Sequence, residues 1–244
     1  MKPMKKNYYL YGKHAVESAI LNESRNILEI LCTEQNAGEI KRICKKNIKI
    51  SIVDNNHLKS LFREHVPHQG VVAMVKPIAT SNIPREILEN NNSKIVILDQ
   101  ITDPQNLGAI LRSAAAFGIS ALIYPKDGSV SESGVVAKAA CGALDIVPLI
   151  EVVNISNIIL ELKKNGFWVL GLDGLGKQNI NNGKILEGKI AIVMGSEGSG
   201  LRPLVAKNCD ILVKIPISNQ MESLNVSNAA SIVFYEINRS NQQQ

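Results

Sequence analysis

The apolar residues of this sequence fall into short runs and alternations that predict two successive α/β regions. In the first region, helical spacing predicts helices, and alternating or continuous apolar runs predict strands. The predicted helices span residues 12–21, 37–46 and 57–62, and the predicted strands span residues 27–32, 48–53 and 70–75. Together these elements predict a small α/β domain of residues 1–76.

A strand–helix rhythm continues in the second region, where several strands are uninterrupted apolar runs. Strands are predicted at 95–98, 120–124, 146–150, 167–172, 190–194 and 211–215, and helices at 104–117, 134–141, 155–165, 201–206 and 224–238. Continuous apolar strands that alternate with helices are typical of a parallel sheet covered on both faces. Residues 94–244 are therefore predicted to form a second α/β domain. A proline- and asparagine-containing linker at 77–93, with a short helix at 84–88, precedes it.

Composition narrows the class of protein further. The chain has 244 residues, of which 45% are hydrophobic and 20% are charged, and this balance favours a folded core over extensive disorder. No apolar run reaches membrane-spanning length, and the N-terminus lacks the apolar stretch of a secretory signal. The four cysteines lack the spacing of a zinc site or a disulfide framework. We therefore expect no metal, no membrane association and a cytoplasmic location.

The excess positive charge lies entirely in the first domain. Residues 1–76 contain 13 Lys+Arg and 7 Asp+Glu, whereas the remainder contains 14 and 15, so the formal net charge of +5 arises in the first third. Such an asymmetry indicates either a module that binds a polyanion or an ordinary solvated surface.

The segment that follows the first strand of the second domain combines a helix start with polar side chains. Asp103 and Pro104 fit the N-cap and the first position of a helix. Apolar residues then recur at the i, i+3, i+4, i+7 spacing of a buried stripe. Arg112 points away from that stripe and Asn106 lies at its border, so both can reach a ligand. Taken singly, Arg112 also fits a surface salt bridge, and Asn106 also fits an extra helix cap.

A glycine-rich loop follows the strand at 190–194. Gly195, Gly198 and Gly200 permit close approach of a ligand to the backbone, but their spacing is neither that of a dinucleotide-binding fold nor that of a P-loop. The carboxylate of Glu197 repels phosphate, so the loop suits a hydroxyl, an amine or a cation better than a pyrophosphate. A plain turn is the competing interpretation.

The last strand, at 211–215, is followed by a segment rich in hydrogen-bonding side chains. Ser223 can cap the following helix, a role that alone would explain it, and Asn225 and Ser227 lie in or near its first turns. None of the histidines or cysteines lies in the three loops, and no nucleophile–base pair is evident. This pattern indicates a site where a cofactor supplies the reactivity and the protein binds and orients.

Three strings in these loops resemble, in order and spacing, the signature motifs of the SpoU/TrmH family of RNA ribose 2′-O-methyltransferases. They are LDQITDPQNLGAILRSAAAFG, IVMGSEGSGL and IPISNQMESLNVSNAA. The N-terminal YLYGKHAVESAIL and HQGVVAMVKP resemble the substrate-binding domain of the RlmB-like subgroup, which methylates a guanosine in the peptidyl-transferase region of large-subunit (23S) rRNA. The resemblance implies a SPOUT-type trefoil-knotted domain, an L30e-like RNA-binding domain, S-adenosylmethionine as donor and a homodimer.

The resemblance also implies which residues form the site. The catalytic positions are Asn106, Arg112, Glu197, Ser223 and Asn225, and the cofactor positions are Gly195, Ile215 and Leu224 with Leu172, Met194 and Ser227. The family proposal makes the arginine the general base that activates the ribose 2′-hydroxyl. A guanidinium has a pKa above about 12, so we expect Arg112 to hold an RNA phosphate and to stabilise the developing alkoxide.

Three other functions remain open at this point. In the first, the enzyme methylates tRNA, with a D-loop guanosine as target. In the second, the chain is a non-catalytic RNA-binding protein. In the third, it is a nucleotide-dependent oxidoreductase. The N-terminal domain favours rRNA over tRNA, and the intact motifs disfavour a non-catalytic protein. The absence of a phosphate-binding glycine pattern disfavours the oxidoreductase.

Overall fold

The chain is described by a computed structural model over residues 7–181, 183–198 and 200–242. Its internal contacts divide it into two units. The first unit contains the described residues up to Ile78 together with Glu132–Ile146. The second unit contains Ala79–Ser131 and the described residues from Val147 onward.

The first unit is built around a four-stranded mixed sheet. Its strands are β1 (Tyr8–Tyr11), β2 (Ile27–Cys32), β3 (Lys49–Ile52) and β4 (Val71–Val75), and its first helices are α1 (Lys13–Leu21), α2 (Glu34–Ile43) and α3 (Asn55–Ser60). The strand order is β1-β4-β2-β3, with β2 and β3 parallel and β4 antiparallel to both of its neighbours. The carboxyl ends of β2 and β3 therefore open at the same edge of the sheet.

Three features of this unit differ from the sequence prediction. Strand β1 was not predicted, because four residues beside a lysine-rich start give too short a pattern, yet it pairs with β4 along its whole length. Helix α2 begins three residues earlier than predicted, directly after Thr33. Helix α3 begins two residues early, because the Asp54 side chain accepts a hydrogen bond from the backbone N–H of His57.

Residues 132–146 belong by their contacts to the first unit, although they lie far along the chain. They form no domain of their own but contribute a helix at Gly134–Ala140, capped by Ser133, and a 3-10 turn at Ala143–Asp145. The helix packs beside β1. The linear boundaries 1–76, 77–93 and 94–244 stay a prediction, and a division by sequence position alone does not anticipate this excursion.

A buried ionic network fixes the excursion within the first unit. The Arg25 guanidinium contacts Asp145 through Nε at 2.6 Å and Glu132 through Nη1 at 2.7 Å. The side chains of the arginine and both carboxylates are at most 3% exposed. Tyr8 donates its hydroxyl to Glu132 at 2.5 Å, and burial together with that negative charge raises the pKa of Tyr8 well above its ordinary value.

The second unit is a parallel α/β sheet, as predicted. Its strands are β5 (Lys94–Leu98), β6 (Ala121–Pro125), β7 (Leu149–Val152), β8 (Trp168–Leu172), β9 (Gln178–Asn179), β10 (Ile190–Met194) and β11 (Ile211–Lys214). In chain order, the helix Gly134–Ala140 of the first unit is α6. The helices of the second unit are α4 (Arg85–Glu89), α5 (Pro104–Ala116), α7 (Ile155–Lys164), α8 (Pro203–Asn208) and α9 (Val226–Gln242), with a 3-10 turn at Gly183–Leu186. Every pairing in the order β7-β6-β5-β10-β8-β11-β9 is parallel.

Both faces of this sheet are covered, which explains its continuous apolar strands. Ile95 and Ile97 belong to a core cluster that includes residues of α4, α7 and α8. Val96 and Leu98 point to the opposite face and are also fully buried. The predicted linker takes part in this core, because Ile83 and Ile87 are buried in the same cluster.

Small corrections concern the ends of elements. The strand predicted at 146–150 is Leu149–Val152, because Ile146 follows the 3-10 turn and is 65% exposed. The final helix begins at Val226 and continues to Gln242, beyond the predicted 224–238. The short β9 was not predicted.

The order of the last strands departs from chain order. From β8 the chain passes to β9 at the edge of the sheet, then to β10 on the other side of β8, and then back past β8 to β11. The trefoil knot stays a prediction. The register aligns Leu98, Met194 and Leu172 at the ends of three adjacent strands, so the loops that follow them share one edge of the sheet.

Candidate functional site

The first predicted loop leads from β5 into α5 as its sequence indicates. Asp103 accepts a hydrogen bond from the N–H of Gln105, and Pro104 opens the helix. The predicted stripe of Leu107, Ile110, Leu111 and Ala114 is buried. Asn106 lies in the first turn and is partly exposed, and Arg112 is exposed six residues later. The helix thus presents an amide and a guanidinium outside its core-facing stripe.

The second loop turns back on itself directly after β10. A Cβ on Gly195 would lie 2.2 Å from the backbone of Gly200, so this position has no room for a side chain. Gly198 and Gly200 adopt φ values of 87° and 66°, which glycine tolerates best. Ser199 lies outside the described residues. The glycines serve the tight turn, and the turn presents Glu197 in an exposed position.

Glu197 joins the three loops. Its Oε1 atom accepts hydrogen bonds from Asn106 Nδ2 at 3.2 Å, Asn225 Nδ2 at 2.5 Å and the backbone N–H of Val226 at 3.1 Å. Asn225 Nδ2 also donates to Asn106 Oδ1 at 3.1 Å. An ionised carboxylate is an acceptor only, so three donors at one oxygen suit its charged form. The structure therefore brings together Asn106, Glu197 and Asn225, as predicted.

Asn225 rather than Ser223 caps the last helix. Asn225 Oδ1 accepts hydrogen bonds from the backbone N–H of Ser227 at 2.9 Å and from its hydroxyl at 2.6 Å. The capping role that the sequence assigned to Ser223 is wrong, because α9 starts at Val226, three residues after it. Ser223 is thus exposed beside the cavity described next, with its hydroxyl not committed to the helix start.

A cavity of about 510 Å³ opens at the edge where the three loops meet. Of the predicted residues, it is lined by Leu172, Met194, Gly195, Glu197, Ile215, Ser223 and Leu224. Ser227, Asn106, Asn225 and Arg112 are not among its lining residues. The predicted cofactor positions other than Ser227 thus surround one space. Asn106 and Asn225 adjoin it through their hydrogen bonds to Glu197, and Arg112 is not part of its wall.

The chemistry of the lining selects among ligands. Apolar side chains, among them Leu172, Met194, Ile215 and Leu224, offer a surface for a flat ring. The described lining residues include three carboxylates and no lysine or arginine. A nucleotide phosphate would be repelled there, whereas a nucleoside with a neutral or positively charged substituent is compatible.

Sequence reasoning missed part of this lining. Asp173, Gly174 and Leu175 follow β8, and Glu222 precedes Ser223; all four line the cavity. The order of the strands makes the β8 loop a neighbour of the glycine-rich loop, and that order is a tertiary feature. The available signal was the polar Asp173 directly after an apolar strand, because ligands in open α/β sheets bind at the carboxyl ends of strands.

Two searches of the described residues complete the description. None of the described helices is both long enough and apolar enough to cross a membrane. Within residues 7–181, 183–198 and 200–242, no three His, Cys, Asp or Glu side chains group as a metal site would require.

Family models match both parts of the chain. The model described as the SpoU rRNA methylase family matches residues 93–235, and the model for RNA 2′-O ribose methyltransferase substrate binding matches residues 9–81. The 23S rRNA (guanosine-2′-O-)-methyltransferase RlmB of Neisseria meningitidis serogroup B is 36% identical over 94% of both chains. The enzyme of the same name from Shewanella oneidensis is 36% identical over 96% of this chain and 97% of its own length.

Solved structures agree with the fold. The SpoU methyltransferase AviRb of Streptomyces viridochromogenes, crystallised with the cofactor AdoMet, superposes with a TM-score of 0.83 at 22% identity, over 97% of this chain and 91% of its own. An rRNA methyltransferase from Sinorhizobium meliloti, also with AdoMet bound, superposes with a TM-score of 0.80 at 20% identity, over 96% of this chain and 87% of its own. At these identities the likeness shows the fold.

Proposed function

The chain belongs to the SpoU rRNA methylase family, and we propose that it transfers a methyl group from S-adenosylmethionine to the ribose 2′-hydroxyl of a guanosine in 23S rRNA. One observation carries this proposal. Glu197 Oε1 binds donors from the loops after β5 and β11, so the three polar loops meet beside a cavity that suits a nucleoside without phosphate.

The residues around the cavity fit this cofactor. Bound S-adenosylmethionine supplies an electrophilic methyl group on a positively charged sulfur. The apolar side chains of Leu172, Met194 and Leu224 would pack on its uncharged parts, and the backbone at Gly195 and Ile215 would bind its polar edges. The surplus of carboxylates in the lining favours a ligand with a positive charge over a nucleoside phosphate. Ser227 would act indirectly, through Asn225.

Arg112 is assigned to the substrate. A guanidinium suits the binding of an anion better than the abstraction of a proton. A guanidinium fork binds a phosphate of the RNA through two parallel hydrogen bonds and stabilises negative charge on the 2′-oxygen as the proton leaves. Arg112 lies at an exposed position of a thirteen-residue helix.

Asn106, Glu197 and Asn225 are assigned to positioning. Their mutual hydrogen bonds hold the three loops in one arrangement, and holding reactants in the right geometry lowers the barrier without proton transfer. Ser223 has a hydroxyl at the cavity and is assigned to contact with the ribose or the cofactor.

The rRNA substrate rests on the first unit. Residues 9–81 match the substrate-binding model, and the surplus positive charge of the chain lies in residues 1–76. Positive charge supplies affinity for the phosphate backbone. A Staphylococcus epidermidis protein named as a TrmH family tRNA/rRNA methyltransferase is 38% identical over 96% of both chains, so tRNA is the second candidate substrate.

We also propose that the enzyme is a cytoplasmic homodimer. Ile232 and Tyr235 expose apolar surface on α9, beside its contact with α5, and a second copy would cover it. The four cysteines are free thiols, as in proteins of a reducing compartment. Sedimentation should give about twice the 26.6 kDa of one chain; a monomer at micromolar concentration contradicts the dimer.

The substrate is tested by transfer of labelled methyl to unmodified 23S rRNA and unmodified tRNA side by side. We expect label in 23S rRNA, mapped to a ribose 2′-oxygen of a guanosine in the peptidyl-transferase loop. A matched rRNA fragment with 2′-deoxyguanosine at that position should take up no label, because the accepting oxygen is missing.

Each other outcome has a definite meaning. Label in tRNA keeps the chemistry and replaces the substrate. Binding of cofactor and RNA without transfer to either purified RNA directs the assay to ribosomal precursor particles. Failure to bind S-adenosylmethionine contradicts the proposed function and favours a non-catalytic RNA-binding protein.

A further inference from the structure

The first unit contains a cavity that the methyl-transfer chemistry does not use. Its volume is about 840 Å³, within the range of clefts that bind small ligands. It opens where β2 and β3 end in parallel, and segments 33–36, 52–55 and 65–70 form its walls together with Lys59. All of these residues lie in the first unit.

His68 is the distinctive side chain of this cavity. It is only 6% exposed, yet it lines the space. Its Nδ1 atom accepts a hydrogen bond from the backbone N–H of Gly70 at 3.1 Å. Within the described part of the chain, its Nε2 atom has no hydrogen-bond partner. The Nε2 atom is not enclosed by the protein, so it faces the cavity, where a ligand can accept its hydrogen bond.

The hydrogen bond to Nδ1 defines what His68 offers. An Nδ1 that accepts carries no proton, so the neutral ring carries its proton on Nε2 and is a donor there. Burial, followed by the positive charges of Lys59 and His65, lowers the pKa of His68 below its ordinary value and keeps the ring neutral. The cavity thus presents a fixed neutral N–H donor.

The remaining walls match a nucleobase. Gln35 and Asn55 carry amides that both donate and accept, as base edges require. Val66 and Pro67 provide apolar surface for the face of a ring. The carboxylates of Glu34 and Asp54 line the cavity together with Lys59, so the lining favours the base over a phosphate. A bare anion would leave the amides and the apolar wall without a function.

We propose that this cavity binds one unstacked nucleotide of the substrate RNA, with His68 Nε2 donating to an acceptor on the base. Proteins read RNA sequence mainly on single-stranded bases that are splayed out of the helix. This second contact would let the first unit select RNA by an unpaired base, in addition to its overall charge. RNA as the ligand rests on the proposed function, whereas the geometry of the cavity does not.

The test uses two substitutions at one position in the full chain. His68→Asn keeps an acceptor near the place of Nδ1 for the Gly70 N–H and removes the Nε2 donor. His68→Gln keeps a donor near the place of Nε2 and removes the acceptor for Gly70. The control is His57→Asn, the same change at an exposed histidine of the same unit that does not line the cavity.

The readout is equilibrium binding of a fluorescein-labelled RNA hairpin with an unpaired loop, compared with a blunt duplex of the same stem. We expect His68→Asn to weaken hairpin binding about fivefold to tenfold, as loss of one buried hydrogen bond implies. Duplex binding should stay unchanged. His68→Gln and His57→Asn should bind the hairpin within about twofold of the unchanged chain.

Two outcomes overturn the inference. Unchanged hairpin binding by His68→Asn shows that the donor has no RNA partner. An equal loss in His68→Asn and His68→Gln shows that only the loop structure was disturbed. Affinity for S-adenosylmethionine and the methyl-transfer rate at saturating RNA are measured in the same variants and should not change. Absence of methyl transfer by the unchanged chain, with the expected binding pattern intact, contradicts the proposed function and leaves the cavity assignment standing.

Discussion

Arg112→Ala is expected to lower the rate of methyl transfer to RNA about a hundredfold or more, the effect typical of removing one group that stabilises a developing oxyanion. The side chain is exposed on α5 and does not line the cavity, so affinity for S-adenosylmethionine and the unfolding temperature should change little. Single-turnover rates at saturating cofactor and RNA measure the chemical step, and titration calorimetry measures cofactor binding.

The matched control is Arg85→Ala. Arg85 is an exposed arginine of the same unit that pairs only with Glu89, one helical turn away, among the described residues. This control should retain its rate within about twofold, since exposed ion pairs contribute little. A rate for Arg112→Ala within threefold of the unchanged enzyme would remove Arg112 from the reaction.

Arg112→Lys distinguishes the geometry of the guanidinium from its charge. Lysine keeps the positive charge but loses the planar fork that binds a phosphate through two hydrogen bonds. If bidentate binding carries the effect, the lysine variant falls most of the way toward the alanine variant. Recovery of nearly the full rate would instead show that a point charge at this position is enough.

The sequence predicted elements best where local and tertiary requirements agree. The amphipathic stripe of α5 and its Asp103–Pro104 start are local signals, and the structure has both. The uninterrupted apolar strands predicted a covered parallel sheet, and β5, β6 and β10 are buried along their whole length. A strand that is buried on both faces is apolar at every position, so its own sequence shows the burial.

The features that the sequence did not predict share one cause, because each depends on contacts with residues that are distant in sequence. Helix Gly134–Ala140 was predicted as an element, but its contacts lie with β1, more than a hundred residues earlier. Ser223 fitted a cap by its type, yet Asn225 takes that role because α9 begins directly after it. No local sequence pattern shows which loops lie together, so these features could be seen only in the three-dimensional structure.

Arg25→Ala is expected to reduce the free energy of unfolding by about 3–5 kcal/mol, because it leaves buried carboxylates without their counter-charge. Glu132 and Asp145 are 3% and 2% exposed and lose the same guanidinium at once. Burial opposes the charge of Arg25, but its hydrogen bonds to Asp145 and the surrounding negative charges raise its pKa, so it is charged at all ordinary pH values. Urea unfolding followed by circular dichroism measures the loss.

The location of the faster hydrogen exchange in Arg25→Ala distinguishes loss of the ionic network from a general loss of stability. Both carboxylates flank the excursion of residues 132–146, so amide hydrogen exchange should accelerate there and in β1 before it does in the core strands β5 and β10.

Arg63→Ala, at an exposed arginine of the same unit, should change stability by less than about 0.5 kcal/mol. Combining Arg25→Met with Glu132→Gln and Asp145→Asn removes every charge of the network and should recover part of the lost stability. A loss below about 1 kcal/mol in Arg25→Ala, or exchange that accelerates equally everywhere, would show that the ionic network does not hold the excursion in place.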